Sequence, residues 1–217
     1  MEKLFTAIRK NNFELVKDLI NSDSSLVNCI SINGLDKDNG QSPLQVAIKT
    51  NNIDIANYLL DNGADVNFME KDSTNEWRAP VIHDALRTAV MNTRWNTFDR
   101  NIKVFHSKEE ADKAFGLLVR IIELGADVDA HDSYNNSCLD RVYLDCKQIL
   151  PYYDIEKDLL SKDRVLTGEI KDDISRIVKI LIDNGADVNE KNINSNKSFK
   201  ELVNSSVLSK CLTFDIK

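Results

Sequence analysis

The sequence contains few of the residues that form tight turns. Its 217 residues include only 7 glycines and 3 prolines, and aromatic residues make up 7%. A sandwich or barrel of many short strands needs frequent turns, so this composition argues against a many-stranded β protein and favours helices. The 42% of hydrophobic and 29% of charged residues also exclude collagen-like, low-complexity and wholly disordered chains.

Long apolar runs and an excess of basic charge are absent as well. No apolar run approaches the roughly 18 residues that span a bilayer, and the first residues carry charges where a signal peptide has an apolar stretch. The formal net charge is -7, which gives no global basic field for nucleic acid or for an anionic membrane. We therefore expect a cytoplasmic protein that binds neither, and whose charge favours a cationic protein partner.

The cysteines and histidines do not form the pattern of a catalytic or metal site. The three histidines are not at the spacing of ligands on one helix, and no glycine-rich loop follows a strand. The four cysteines lack the short spacing that grips zinc. We predict no catalytic residue, no metal and no cofactor, and we expect the cysteines to be reduced and structural: Cys29, Cys138, Cys146 and Cys211.

One five-residue phrase occurs three times. Gly-Ala-Asp-Val-Asn begins at Gly63 and at Gly185, and Gly-Ala-Asp-Val-Asp begins at Gly125. Apolar residues at helical spacing precede each phrase, which indicates an amphipathic helix that ends at the glycine. A left-handed residue at a helix end costs about 1 kcal/mol or more if it carries a Cβ, so a structural role explains these glycines. A degenerate first copy ends at Asp23, which we expect to substitute for glycine.

A further helix is predicted before each of these helices. An apolar residue followed by others three and four positions later starts at Leu4, Leu44, Ile82, Leu139 and Phe199, so five helix pairs are expected. Before Leu44, Ser42 precedes Pro43. Serine caps a helix and proline fits its first position, so this dipeptide predicts a helix start.

The segment from Gly40 to Ala47, followed by the Gly63 phrase, resembles the ankyrin repeat, a β-turn finger and two antiparallel helices over about 33 residues. The resemblance implies an all-α ankyrin-repeat solenoid with β-turn fingers, in one domain over residues 1–217. About five repeats are expected, over approximately 1–35, 36–70, 71–130, 131–190 and 191–217, of which the first and last are caps. Copy three keeps Pro80 and His83, and the resemblance implies local hydrogen bonding for His83.

Copies three and four are longer than the family unit. The glycines of the three phrases recur at nearly twice the roughly 33-residue unit, and the excess lies between the two helices of each copy. We interpret it as two long inserts that emerge side by side at the edge opposite the fingers and form one lobe. The alternative is a degenerate repeat in each gap, although neither gap contains another Gly-Ala-Asp phrase.

The inserts contain local signals of their own. Ser107 followed by Glu110 is a capping box that predicts the start of a lengthened helix, and a short helix is predicted through Leu159 and Leu160. The first insert is basic and the second acidic, so they could hold each other. Two interpretations stay open for the aromatic side chains of the inserts. Either most of them attach the inserts to the body, or one or two of them anchor a partner; they are Trp95, Phe98, Phe105, Tyr152 and Tyr153.

The resemblance implies that fingers and first helices bind the partner. Trp77 is the first candidate, because its finger is longer than stacking requires; the alternative is that Trp77 folds down over the added turn. Gln45 and Lys49 lie on or near the first helices. The complete candidate set, with the insert residues, is Asp36, Asp38, Glu76, Trp77, Arg78, Arg87, Trp95, Phe98, His131, Tyr134, Tyr152 and Tyr153.

The sequence thus predicts a monomeric, non-catalytic protein–protein interaction module that acts as an adaptor or inhibitor. Small acidic ankyrin proteins of this kind resemble toxin-neutralising immunity proteins, which is an analogy of fold and charge. Two alternatives from other classes are an enzyme with its site in the inserted lobe and a protein that assembles with itself through the lobe.

Overall fold

The computed structural model describes residues 1–32, 38–71, 77–99 and 101–216. Its helices follow one another in five pairs, and the two helices of each pair contact each other, from α1 with α2 to α9 with α10. Their bounds are α1 (Glu2–Arg9), α2 (Phe13–Ser22), α3 (Pro43–Lys49), α4 (Ile53–Asp61), α5 (Val81–Met91), α6 (Lys108–Glu123), α7 (Cys138–Ile149), α8 (Gly168–Asp183), α9 (Phe199–Asn204) and α10 (Leu208–Cys211). In this part of the chain, no helix is long and apolar enough to span a bilayer.

The helices form two layers. The first helices of the pairs, α1, α3, α5, α7 and α9, contact one another in that order, and the second helices α2, α4, α6, α8 and α10 do the same. Leu44 and Leu86 of the first layer and Leu59 and Leu118 of the second are fully buried in one continuous core. Each pair buries its apolar faces against its neighbours, as in a stacked repeat fold. The predicted mainly helical fold is confirmed.

Most of the predicted helix ends are found. Capping boxes begin α3 at Ser42 and α6 at Ser107. The glycines of the three phrases have positive φ angles of 83°, 93° and 104°. Asp23, however, does not take the place of glycine. Its φ is -151°, and its carboxylate accepts a hydrogen bond from the backbone N–H of Ser25 to begin a 3₁₀ turn over Ser24–Asn28.

Two hairpins occupy the long connections inside the third and fourth pairs. β1 (Asn96–Asp99) pairs antiparallel with β2 (Asn101–Val104), and β3 (Tyr153–Asp154) pairs with β4 (Leu159–Leu160). The prediction of a short helix through Leu159 and Leu160 is wrong, because Leu160 pairs with Tyr153 in a strand. The described residues of both connections contain no helix.

Asparagine side chains join neighbouring phrases on the finger side. Asn28 donates to the carbonyl of Gly63 and accepts from the N–H of Asp65, at 2.9 and 2.8 Å. Asn67 makes the same two bonds to Gly125 and Asp127, both at 2.9 Å. In the next phrase the equivalent residue is Asp129, whose carboxylate cannot donate to a carbonyl. The hydrogen-bond ladder therefore stops between the third and fourth helix pairs.

We predict that Asp129→Asn extends this ladder and raises the free energy of unfolding by about 0.5–1 kcal/mol, the net worth of an exposed hydrogen bond. Asn67→Asp should lower it by a similar amount. Asn189→Asp is the matched control, since it makes the same change in the last phrase, where no further phrase follows. Urea denaturation measures all three, and equal effects of Asn67→Asp and Asn189→Asp would contradict the role of the side-chain bonds.

Candidate functional site

A row of cations crosses the first helices. Arg9, Lys49 and Arg87 occupy equivalent positions in α1, α3 and α5, five residues after Leu4, Leu44 and Ile82, respectively. We call these three residues the basic row. Each reaches a buried carboxylate of the following helix pair or its finger: Arg9 pairs with Asp38, Lys49 with Glu70 at 3.2 Å and Asp84 at 3.6 Å, and Arg87 with Asp145 at 2.5 Å.

The cations of the basic row are more accessible than their partners. The side chains of Lys49 and Arg87 are 24% and 43% exposed, whereas those of Glu70, Asp84 and Asp145 are at most 1% exposed. The carboxylates thus lie beneath the surface and the cations lie above them. A molecule that approaches the first helices here meets positive charge and hydrogen-bond donors.

A groove of about 460 Å³ opens over this part of the basic row. It runs over α3 and α5, from Trp77 to His106, which follows β2. The groove is lined by Ile48, Lys49, Asn51, Trp77, Asp84, Arg87, Thr88, Met91, Asn92 and His106.

Trp77 forms a fixed wall of this groove. Its indole N–H donates to Asp132 at 2.7 Å, and its ring lies 5.8 Å from the cationic groups of both Lys49 and Arg141. Burial acts against the charge of Asp132, but the hydrogen bonds from Asn136 and Trp77 lower its pKa below the ordinary value. The side chain of Trp77 is only partly buried. Trp77 is therefore anchored to the next finger and keeps part of its side chain accessible, and its role in partner binding stays a prediction.

Asp145 holds two guanidinium groups at once. Arg141 binds it through Nε at 2.9 Å and Nη2 at 2.7 Å, and Arg87 donates from Nη1. Burial raises the pKa of Asp145, and the two arginines act in the opposite direction. The carboxylate of Asp145 is therefore shared between the two guanidinium groups, and Arg87 makes only one of its three hydrogen bonds to them.

Asp84 lies at the base of the groove beside Lys49. Gln45 is fully buried and donates from Nε2 to Asp84 at 3.0 Å and to the carbonyl of Ala79 at 2.9 Å, which ties α3 to the start of α5. Burial raises the pKa of Asp84 to about 7, although Lys49 lowers it. The charge beneath the groove therefore changes near neutral pH.

We predict that Asp84→Asn gains stability relative to the wild type as the pH rises. The folded wild type keeps the Asp84 proton up to about pH 7, whereas the unfolded chain releases it near pH 3.8, so stability present below pH 4 is lost as the pH rises to 7. The difference in the free energy of unfolding between Asp84→Asn and the wild type should therefore change by about 2 kcal/mol between pH 5 and 7, at roughly 1.4 kcal/mol per pH unit. Urea unfolding at pH 5, 6, 7 and 8 measures this.

Asp112→Asn is the control for this experiment. Hydrogen bonds from Lys108 and Arg176 lower the pKa of Asp112, so its carboxylate is ionised throughout this pH range. Its effect on stability should be the same at pH 5 and pH 8. Parallel pH curves for the wild type and Asp84→Asn would contradict the raised pKa of Asp84.

The predicted finger residues have different environments. Asp36 and Glu76 lie outside the described residues. Asp38 is 1% exposed and pairs with Arg9, and Gln45 is fully buried, so their expected place on an accessible surface is wrong. Arg78 is exposed, and its backbone N–H donates to the hydroxyl of Ser133. His131 bonds to Glu190 at 2.9 Å, and Tyr134 is 48% exposed.

The two long connections touch each other. Asn96 exchanges two hydrogen bonds with the backbone of Val165, at 2.8 and 2.9 Å, and the N–H of Phe98 donates to the carbonyl of Asp163 at 2.7 Å. Arg94 binds Asp173 of α8 through Nε at 2.9 Å and Nη2 at 3.0 Å. The contact therefore uses backbone and amide groups, together with one ion pair to the body. We call residues 92–107 and 150–167 the lobe.

Only part of the aromatic set of the lobe is accessible. Trp95 stacks on Phe105 at 4.0 Å, packs against the core and donates to the carbonyl of Met91, so it attaches the lobe to the body. Tyr153 donates to Asp158 at 2.7 Å. Phe98 and Tyr152 are 50% and 74% exposed and remain available to a partner.

Other residues of the groove were not predicted from the sequence. Met91 and His106 line the groove, and Arg141 and Asp145 lie beside it through their contacts with Arg87 and Trp77. The recurrence of a cation at one position of three first helices is the signal that could have pointed to their neighbourhood. The buried carboxylates come from different positions in each copy, so no periodic pattern marks them.

The histidine and cysteine residues have structural surroundings. His83 is fully buried, bonds through Nε2 to the carbonyl of Ala130 at 3.0 Å, and burial lowers its pKa to about 4. All four cysteines are free thiols, as predicted, and burial raises the pKa of the Cys146 thiol. Within the described ranges, no group of three or more His, Cys, Asp or Glu side chains is arranged to hold a metal ion.

The beginning of the chain is similar to a known family. Residues 2–70 match the family model described as ankyrin repeats (3 copies). This range contains α1 to α4 and the first part of the basic row. No curated protein matches the chain.

Proposed function

We propose that the chain is an ankyrin-repeat protein, because residues 2–70 match the family model described as ankyrin repeats. Such repeats are generally protein–protein interaction modules, and we infer that this chain binds a partner protein through the groove over α3 and α5. The observation that supports the proposal is the joint presence of an anchored indole ring, a row of cations and an open groove on the first helices. Tryptophan and arginine are enriched among residues that dominate binding energy at interfaces.

The repeat assignment belongs to this proposal. We assign the five helix pairs to five repeats, of which the third and fourth carry the lobe between their helices. We further propose that the protein is a monomer, acts without catalysis and works in the cytoplasm. An inhibitor that covers the active surface of its partner, such as an immunity protein that neutralises a toxin, is the narrower form of this function.

The lobe is the second candidate surface. Phe98, Ile102 and Val104 are each about half exposed on one hairpin, with Tyr152 on the other connection. Exposed apolar side chains grouped in this way are typical of contact surfaces, either for a partner or for a second copy of the chain. The groove has the stronger support, since a hydrogen bond fixes its wall and its accessible charged side chains are cations.

We predict that the groove, and not the lobe, is needed to capture the partner. Tagged full-length chain is incubated with native cell extract, and bound proteins are quantified by mass spectrometry. The Trp77→Ala/Arg87→Ala variant should lose a protein that the wild type enriches by at least about tenfold, since two interface anchors are removed. Phe98→Ala/Tyr152→Ala is the matched control, because it also removes large accessible side chains, and it should retain that protein.

Melting curves first establish that both variants are folded. Loss of the partner from the lobe variant alone would move the binding surface to the lobe. If the wild type enriches no protein, the binding function itself is contradicted. A mass in light scattering that increases with concentration would contradict the monomer.

A further inference from the structure

The charges that line the groove are opposite in sign to the charge of the whole protein. The formal net charge is -7, yet the charged side chains accessible in the groove are Lys49 and Arg87. The acidic residue of the lining, Asp84, is 1% exposed and lies below them. A partner that docks here experiences the nearby cations more strongly than distant surface acids, because salt screens exposed charges beyond about 8 Å.

Arg87 has unused hydrogen-bonding capacity. Its hydrogen bond to Asp145 uses Nη1, and no other partner contacts its guanidinium group among the described residues. The carboxylate of Asp145 is already bound by Arg141 through two hydrogen bonds. The edge of Arg87 formed by Nε and Nη2 can therefore bind a second carboxylate through two parallel hydrogen bonds.

Apolar surface accompanies this free edge. Trp77 forms the wall at one end, and Met91 lies on α5 one turn beyond Arg87. Methionine adapts to irregular surfaces, and an indole ring offers a large apolar face. The volume of about 460 Å³ accommodates a few side chains of a chain segment that crosses the first helices.

We propose that the groove binds an acidic segment of the partner protein, in which an Asp or Glu carboxylate pairs with the Nε and Nη2 edge of Arg87 and a neighbouring apolar side chain packs between Trp77 and Met91. This inference rests on the proposed function and names the chemistry of its partner. It replaces, for this face, the cationic partner expected from net charge.

The test uses a displayed library of random 12-residue peptides, selected on the folded full-length chain. Selected peptides that bind the wild type and lose binding to Trp77→Ala are taken as groove binders. These should be enriched in Asp and Glu over Asn and Gln. One such peptide is then synthesised with each acidic residue replaced in turn by its amide, and its affinity is measured by calorimetry.

Arg87→Gln provides the decisive comparison. For the wild type, one Glu→Gln or Asp→Asn change in the peptide should weaken binding by at least about tenfold, as expected for a hydrogen-bonded charge pair. The same peptide change should have little effect on Arg87→Gln, because the carboxylate has already lost its partner. Arg120→Gln is the matched control, since Arg120 lies on α6, where it pairs with Asp61, and the full peptide effect should persist.

The outcomes separate this inference from the proposed function. Groove binders that tolerate every amide replacement, or that are basic, reject the acidic partner and leave the binding groove in place. An amide effect of the same size in Arg87→Gln rejects the role assigned to Arg87. If no selected peptide depends on Trp77, both the inference and the binding groove are rejected.

Discussion

Buried carboxylates that bind the basic row determine how the first helices present their charge. An acidic side chain without water is costly to bury, and a nearby cation offsets that cost. Each cation of the basic row meets its carboxylate in the following helix pair or its finger, so the ion pairs cross from one helix pair to the next. The ion pairs therefore do more than hold neighbouring helix pairs together. Because the acids lie inside, the accessible ends of Lys49 and Arg87 face outward and make the groove positive within an acidic protein.

The third and fourth helix pairs are joined by different contacts from those that join the earlier pairs. On the finger side, the ladder of asparagine side chains stops at Asp129. On the opposite side, the bidentate pair between Arg94 and Asp173 and the bonds of Asn96 to Val165 join the same two helix pairs. The lobe thus adds contacts between two helix pairs that lack the phrase-to-phrase bonds, and Trp95 attaches the lobe to the body.

Periodic features of the fold could be predicted from the sequence, whereas unique contacts could not. The helix pairs follow from apolar spacing, and the positive φ of Gly125 follows from its place after an amphipathic helix. The helix predicted through Leu159 and Leu160 is wrong, because two adjacent leucines do not distinguish the spacing of a helix from that of a strand. The pairing of Leu160 with Tyr153 makes this segment a strand. The carboxylate of Asp38 could not be recognised as buried, because its partner Arg9 is remote in sequence.

The binding groove is tested most directly by locating the residues at which a partner contacts the chain. A photoreactive phenylalanine analogue replaces Met91 in the groove, Tyr152 in the lobe or Tyr58 in the outer helix α4, and each chain is irradiated in native extract. We predict that one protein is cross-linked from position 91 and that a selected groove peptide abolishes this cross-link. Cross-linking from position 152 or 58 but not from 91 would contradict a binding groove over the basic row.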